Sequence, residues 1–418
     1  MQNRLIKRKS YIEQFDEFVD TDFVKVFLGL RRSGKTSLLY NLVDELRSRG
    51  VNNENIIFIS FESPEFKYVN DSDKLDKIIS EKVKNTEGRV YLFFDEIQEV
   101  SDWERSINGY RVSMDCDIYI TGSNSKLLSG ELATYLAGRY ITINVYPFSF
   151  KEFLEYQNQI EGKKLTKSTI NNLYEDYFEY GGMPGILSLS SSRMKIQGLK
   201  DIYDSILLND VISRFQIKKI GLLQRFVEYM VGNIGETFSS NSIKNYLKGN
   251  NINTTQDTLL KYNNCLQQTF FFSKCRRFDF KGKKLLTIYE KYYLMDHGFH
   301  SVLVEKSAKK IPRVLENIVY VELLRRGYNV TVGKLDEKND QDGKPKEIDF
   351  VCEKSGKYVY IQVAYLLSSE ETINREFSPF FKIPDKYDTY VITTDRYDFS
   401  QKGVKHLNII DFLLGDEI

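Results

Sequence analysis

The chain has 418 residues, 41% of them hydrophobic, enough to fill two or three separate cores. Its 59 Lys and Arg nearly cancel its 58 Asp and Glu, so a polyanionic partner has to be held by local basic patches and not by a whole-molecule field. Four cysteines without a CxxC pair and only 3 histidines argue against a zinc site, and the chain lacks both an export-type apolar segment and a run of roughly eighteen apolar residues, which points to a cytoplasmic protein with no membrane span.

In chain order, the first chemical signal is FVKVFLGLRRSGKTSLLYNLVDEL. An apolar strand, residues 23–28, runs into Gly29, Leu30, Arg31, Arg32, Ser33, Gly34, Lys35, Thr36 and Ser37, and Leu38, Leu39, Leu42, Val43 and Leu46 follow at helical spacing. The pattern GxxxxGKT between a strand and a helix is a phosphate-binding loop. Glycines let backbone N–H groups wrap a phosphate, and the helix N-terminus adds positive potential. Lys35 is expected on the β- and γ-phosphates of ATP, and the Thr36 hydroxyl on Mg²⁺. Further on, RVYLFFDEIQEV reads as a strand buried on both faces that ends in Asp95 and Glu96, at the end where parallel sheets bind ligands. Asp95 is the expected second Mg²⁺ contact and Glu96 the group that polarises an attacking water, so hydrolysis is the expected chemistry.

A further strand, DIYITGSN, ends in Ser123 and Asn124, and Arg139 immediately precedes another, YITINV. With these residues in place the order of elements resembles an AAA-superfamily ATPase. The resemblance implies that Asn124, or Ser123, senses the γ-phosphate, and that Arg139 reaches into a neighbouring subunit's site, which makes a homo-oligomer the expected assembly. A lid arginine of the second-sensor type is not identified; Arg193 and Arg214 are the candidates.

From Phe148 the pattern turns helical, through FSFKEFLEYQNQI, INNLYEDYFEYGGMPGILSL and IQGLKDIYDSILLNDVISRF, which reads as the ATPase's helical lid, residues 148–217. The YGGMPG break at Gly181 to Gly185 reads as a tight turn. Three helical segments then lead to an aromatic and basic hairpin around Lys281, Gly282 and Lys283. This order resembles a winged helix, residues 218–300. Its helix from Thr254 would lie in a DNA major groove, with Arg276, Arg277, Lys281, Lys283 and Lys284 on phosphates, although such modules also dock proteins.

The final segment, residues 301–418, offers a helix bearing Glu316 and Tyr320, strands, an amphipathic segment and the apolar run DTYVITT, a succession that resembles the restriction-endonuclease core. That nuclease chemistry needs an Asp on one strand and an acid and a lysine two apart on the next. Asp349 is in place, but Gln362 and Ala364 stand where the acid and lysine belong, and activity would need another lysine to migrate in, such as Lys346 or Lys357. The expected fold is therefore an α/β P-loop ATPase (residues 1–147) with helical lid, winged helix and a catalytically degenerate restriction-endonuclease-like domain. Along its whole length the chain resembles prokaryotic AAA-family ATP-binding proteins with a C-terminal domain of unknown function. The expected partners are ATP with Mg²⁺, and double-stranded DNA or a protein; a nucleotide-gated switch with little turnover is the alternative.

Overall fold

The computed structural model describes residues 5–125, 136, 138–280, 284–305, 307, 310–335, 347–383, 386–416 and 418. The chain forms two compact units, the first made of residues 1–147, 155–163 and 268–270, the second of 148–154, 164–267 and 271–418. Among the described residues no helix is long and apolar enough to cross a membrane.

The first unit holds α1 (Lys9–Phe18), β1 (Val24–Leu28), α2 (Lys35–Ser48), β2 (Ile56–Ser60), α3 (Ser72–Val83), β3 (Val90–Asp95), α4 (Trp103–Ser113), β4 (Cys116–Gly122) and β5 (Tyr140–Asn144). Its five strands pair in the order β2-β3-β4-β1-β5, and every pairing is parallel. A sheet covered on both faces needs apolar residues at every position, and the two-residue period sorts them. Val24, Val26, Leu28, Leu92, Phe94, Ile118 and Ile120 pack with Leu75, Ile79 and Ile107 of α3 and α4. Phe27, Phe93 and Tyr119 pack on the opposite face with Phe15, Leu38, Leu39 and Leu42 of α1 and α2. On that second face Lys25 is fully buried, and its ammonium donates to Asp117 at 2.5 Å, a pair that the apolar pattern around it conceals. All five strands end at the same edge, which places Gly29, Asp95 and Ser123 together.

The second unit begins in α5 (Phe150–Gln159), which both units share, and continues through α6 (Lys167–Tyr180), α7 (Pro184–Leu187), α8 (Ser192–Ser205), α9 (Ile220–Gly232), α10 (Ser240–Gly249) and α11 (Gln256–Gln268). Side-chain oxygens of Thr166, Ser191, Ser239 and Thr255 accept from the backbone N–H three residues on, which sets the starts of α6, α8, α10 and α11. Then come β6 (Phe272–Asp279), β7 (Lys284–Leu294), α12 (Gly298–Leu303), α13 (Ile311–Arg325), β8 (Asn329–Lys334), β9 (Glu347–Lys354), β10 (Lys357–Val363), α14 (Glu370–Phe377), β11 (Asp388–Thr393), β12 (Lys405–Asn408) and α15 (Ile409–Leu414).

The hairpin β6–β7 forms as expected, with its turn residues Lys281, Gly282 and Lys283 outside the described residues. It is not a free-standing wing, because β6 pairs with β8 in a parallel ladder and the seven strands run β12-β11-β10-β9-β8-β6-β7 in one sheet. A division at residue 300 thus falls inside a continuous sheet. The YGGMPG segment also differs from a simple turn. A Cβ on Gly181 would lie 2.0 Å from Asp296 Oδ1, and one on Gly182 2.2 Å from the Phe148 carbonyl oxygen, so these glycines are required by close backbone packing. Asp296 accepts from the N–H groups of Gly182 and Gly298, both at 2.9 Å, and its burial pushes the carboxyl up to about 7.

Candidate nucleotide site

The loop from Gly29 to Thr36 joins the carboxyl end of β1 to the first turn of α2. Gly34 takes φ 97°, a left-handed conformation that suits glycine, and Arg32 is also left-handed at φ 64°. At Gly29 a Cβ would sit 2.2 Å from the Val145 carbonyl oxygen, so the loop can turn there only without a side chain. Leu30 is buried and anchors the loop, Arg31 reaches Glu62 on the surface at 3.2 Å, Arg32 is exposed, and Ser37 is half-buried. The Ser33 hydroxyl is buried and has no hydrogen-bond partner among the described residues. Lys35 is 4% exposed; its ammonium donates to the carbonyls of Gly29 and Leu30 at 3.1 and 3.2 Å and lies 3.7 Å from the Glu96 carboxylate.

Asp95 closes the other side. Thr36 Oγ1 lies 3.0 Å from both of its carboxylate oxygens, Thr121 donates to Oδ1 at 2.8 Å, and Ser60 donates to Oδ2 at 3.0 Å. Burial pushes the Asp95 carboxyl up and the neighbouring Glu96 charge adds to this, while the three hydroxyls pull it back. Glu96 is left-handed at φ 55°; its N–H donates to Thr121 Oγ1 at 2.9 Å and its carboxylate accepts from the Gln98 amide. Ser123 and Asn124 follow the end of β4, between β3 and β1, and both are buried, the Ser123 hydroxyl without a partner among the described residues.

Arg139 lies elsewhere. It precedes β5, and its carbonyl accepts from Val24 N–H at the amino end of β1, with the side chain exposed. A five-residue strand separates it from its own phosphate loop, about 16 Å at 3.3 Å per residue. The sequence therefore assembled Lys35, Thr36, Asp95, Glu96, Ser123 and Asn124 at one edge, and Arg139 at the other. It missed Ser60, Thr121 and Gln98. For Ser60 and Thr121 the signal was a hydroxyl residue at the carboxyl end of each neighbouring strand, IIFIS and DIYITG, whereas Gln98 lies two residues beyond Glu96.

The donor set fits a nucleotide with Mg²⁺: a Gly-permitted loop, an ammonium, and a hydroxyl against a carboxylate, with buried unpartnered hydroxyls at Ser33 and Ser123 that phosphate or water oxygens could satisfy. Residues 21–154 match the family model described as an AAA domain, and residues 171–310 match one described as a domain of unknown function. A Haemophilus influenzae protein called "Uncharacterized protein" is 38% identical over 99% of this chain and 100% of its own length. The chain belongs to this AAA-domain family. A Methanocaldococcus jannaschii protein, "Uncharacterized protein MJ1544", is 30% identical over 86% of this chain and 78% of its own. Among solved structures, a Walker-type ATPase of Pyrococcus abyssi is similar at 15% identity, over 72% of this chain and 96% of that one, with a TM-score of 0.49. The AAA domain has the P-loop fold expected from its motifs, with a five-stranded parallel sheet and the nucleotide-binding loop at its carboxyl edge.

Beyond the AAA domain, the second unit contains an acid cluster on β9 and α13. Asp349 accepts from Val363 N–H at 2.8 Å, and its own N–H donates to Gln362 Oε1 at 3.2 Å, so the amide that stands where an acid was required binds backbone. Lys346 is outside the described residues, and Lys357 is exposed at the start of β10. Among the described residues the lysine beside these acids is Lys291 of β7, buried, with its ammonium 3.2 Å from Glu347 and 3.5 Å from Glu316. Burial alone would lower this ammonium, but Glu316, Glu347 and Asp349 outweigh it and hold the group charged. Arg277, expected on DNA phosphate, is instead buried, paired with Glu347 and donating to Thr237 Oγ1 at 3.1 Å. Arg276 is exposed, and the side chain of Lys284 lies outside the described residues. Among the described residues no group of three or more His, Cys, Asp and Glu is arranged to hold a metal.

Proposed function

We propose that the protein is a Mg²⁺-dependent ATPase whose nucleotide state controls how residues 218–418 engage double-stranded DNA or a protein partner. The observation that carries this is the meeting of Thr36 with both oxygens of Asp95 at 3.0 Å beside Lys35 and Glu96. Mg²⁺ bound there would offset the negative charge of the β- and γ-phosphates. Lys35 would bind the same phosphates, Thr36 and Asp95 would hold the ion's coordination shell, and Glu96 would orient the attacking water once released from Lys35 and Gln98. Asn124, or Ser123, would read the γ-phosphate from β4. Arg139 stands too far from its own loop to serve it and would complete the site of a neighbouring subunit, so activity per subunit is expected to rise with protein concentration.

The winged-helix reading of residues 218–300 is supported by the order α9, α10, α11 and hairpin and by the bridge Thr237 to Lys291. The nuclease-like reading of residues 301–418 is supported by Asp349 and Glu316 on β9 and α13. We read that site as silent, because Lys291 supplies a tethered cation to the acids and is held by two carboxylates, so that its own amine is not free to activate water. Phosphate release measured with and without double-stranded DNA, at low and raised salt, tests the main reading. Wild type should turn over ATP with salt-sensitive stimulation, and Lys35→Ala should not turn over. Equal release from both proteins overturns it. No Asp349-dependent nicking of plasmid with Mg²⁺ or Mn²⁺ and ATP is expected.

A second reading, a nucleotide-gated switch with little turnover, is favoured by the way Lys35 and Gln98 occupy the Glu96 carboxylate. Glu96→Gln separates the two: a switch keeps its function, whereas a motor stalls with ATP bound.

A further inference from the structure

The second unit contains a cavity of about 530 Å³ that none of the chemistry above uses. Strands β10, β11 and β12 are mutually parallel, and Tyr365, Thr394 and Asn408 of its lining lie at or just beyond their carboxyl ends. Parallel strands collect ligands at that edge, where their connections leave a crevice, and this volume lies within the range of small-molecule sites. The facing wall is one stripe of α6, with Lys167, Asn171, Tyr174 and Phe178 at helical spacing.

Several features distinguish this cavity from a packing defect. Tyr174 is 5% exposed, yet its hydroxyl has no hydrogen-bond partner among the described residues, an arrangement that buried phenols usually avoid. Lys167 and Arg396 are exposed at the rim, and neither is ion-paired among the described residues. Tyr365 is 40% exposed, but its backbone is pinned, since its carbonyl accepts both the N–H and the hydroxyl of Thr394 at 3.1 and 2.6 Å. Tyr365 and Phe178 both line this ligand-sized space, and aromatic rings in such a wall are suited to stacking a planar group.

We propose that this cavity is a second ligand site, separate from the phosphate loop, that takes a nucleoside monophosphate. Lys167 and Arg396 bind the phosphate, Tyr365 and Phe178 flank the base, and the half-buried Asn171 amide meets the base edge. The carboxylates of Glu175 and Asp411, also in the lining, accept from ribose hydroxyls. Those two acids balance the two cations, so the lining carries no surplus positive charge to hold the further phosphates of a triphosphate. The phosphate loop has the opposite preference, because its lysine and hydroxyl act on β- and γ-phosphates.

Calorimetric titration of the full chain carrying Lys35→Ala with AMP, GMP, CMP and UMP at millimolar concentration tests the assignment. At least one should bind at one per chain, with wild type and Lys35→Ala alike. Arg396→Ala should weaken that binding tenfold or more, and Asn171→Leu should alter the preference among bases. Thermal melting of both variants, unchanged from wild type, would show that the loss is local. Absence of binding by all four nucleotides overturns the proposal, as does binding indifferent to Arg396→Ala. Binding lost with Lys35→Ala would assign the ligand to the phosphate loop and refute the second site without touching the ATPase reading.

Discussion

Replacing Lys291 by Met keeps its length and its burial in β7 but removes the cation that Glu316 and Glu347 share. At 3.2 and 3.5 Å, and with an effective dielectric constant of about 20, each contact is worth about 5 kcal/mol before the burial of the ammonium is set against it. Much of that gross attraction is offset by desolvation, and breaking a buried pair from one side costs about 3–5 kcal/mol, chiefly because the partner charge is left uncompensated. Here Glu347 still has Arg277, whereas Glu316 keeps, among the described residues, the Tyr293 hydroxyl at 2.5 Å and faces Asp349. The loss in Lys291→Met should therefore reach about 3 kcal/mol in urea unfolding followed by far-UV circular dichroism. Adding Glu316→Gln should recover about 1 kcal/mol or more, since the second change removes the stranded charge. A single variant within about 0.5 kcal/mol of wild type, or a double variant less stable than the single, would refute the tethered-cation account.

Asp296 should give stability a pH dependence of definite sign. Its carboxyl is raised in the folded state to about 7 from an ordinary 3.8, so the native protein holds a proton that the unfolded chain releases, and stability falls as pH rises from about 4 to 7. The fall is at most about 4 kcal/mol for a shift of this size, and unfolding free energies of Asp296→Asn across that window should lack one proton of slope. Gly181→Ala forces a Cβ against the Asp296 carboxylate at a left-handed φ of 75°, and should cost about 3 kcal/mol or more, read by denaturant unfolding. Thr121→Val removes both a donor to Asp95 and the acceptor of Glu96 N–H; it should raise the Mg²⁺ concentration needed for half-maximal ATPase activity and destabilise by about 1–3 kcal/mol.

The nucleotide site was legible because its chemistry is local. A glycine-rich loop is read from eight consecutive residues, and Asp95 announces itself by ending a run of five buried apolar positions, Val90 to Phe94, on a strand whose direction the fold class sets. The hydroxyls that tune it were harder to see, because Ser60 and Thr121 act from separate strands and meet Asp95 only when β2, β3 and β4 are laid side by side. Lys25 illustrates the same limit: a lysine in the middle of VKVFL looks like an interruption until Asp117, ninety-two positions away, is placed beside it.

The C-terminal unit was less legible for a reason of topology. Strand order and spacing flagged Asp349, Gln362 and Ala364, but among the described residues the lysine beside these acids is on neither β9 nor β10. The lysine arrives from β7, a strand that in sequence belongs to the helix-and-hairpin segment and in space continues the same sheet. That placement also reassigns the hairpin's charges: Arg277 and Lys291 face carboxylates inside the fold, which leaves Arg276, of the described basic residues first assigned to phosphate, free of that burial. Of the residues first assigned to phosphate, DNA contact by the hairpin would then fall to Arg276, Lys281, Lys283 and Lys284, so Arg276→Ala should weaken DNA-stimulated turnover and flatten its salt dependence, whereas Arg277→Ala should act on stability. If Arg277→Ala instead changed the salt slope and left unfolding untouched, the hairpin would have to be read as a free wing after all.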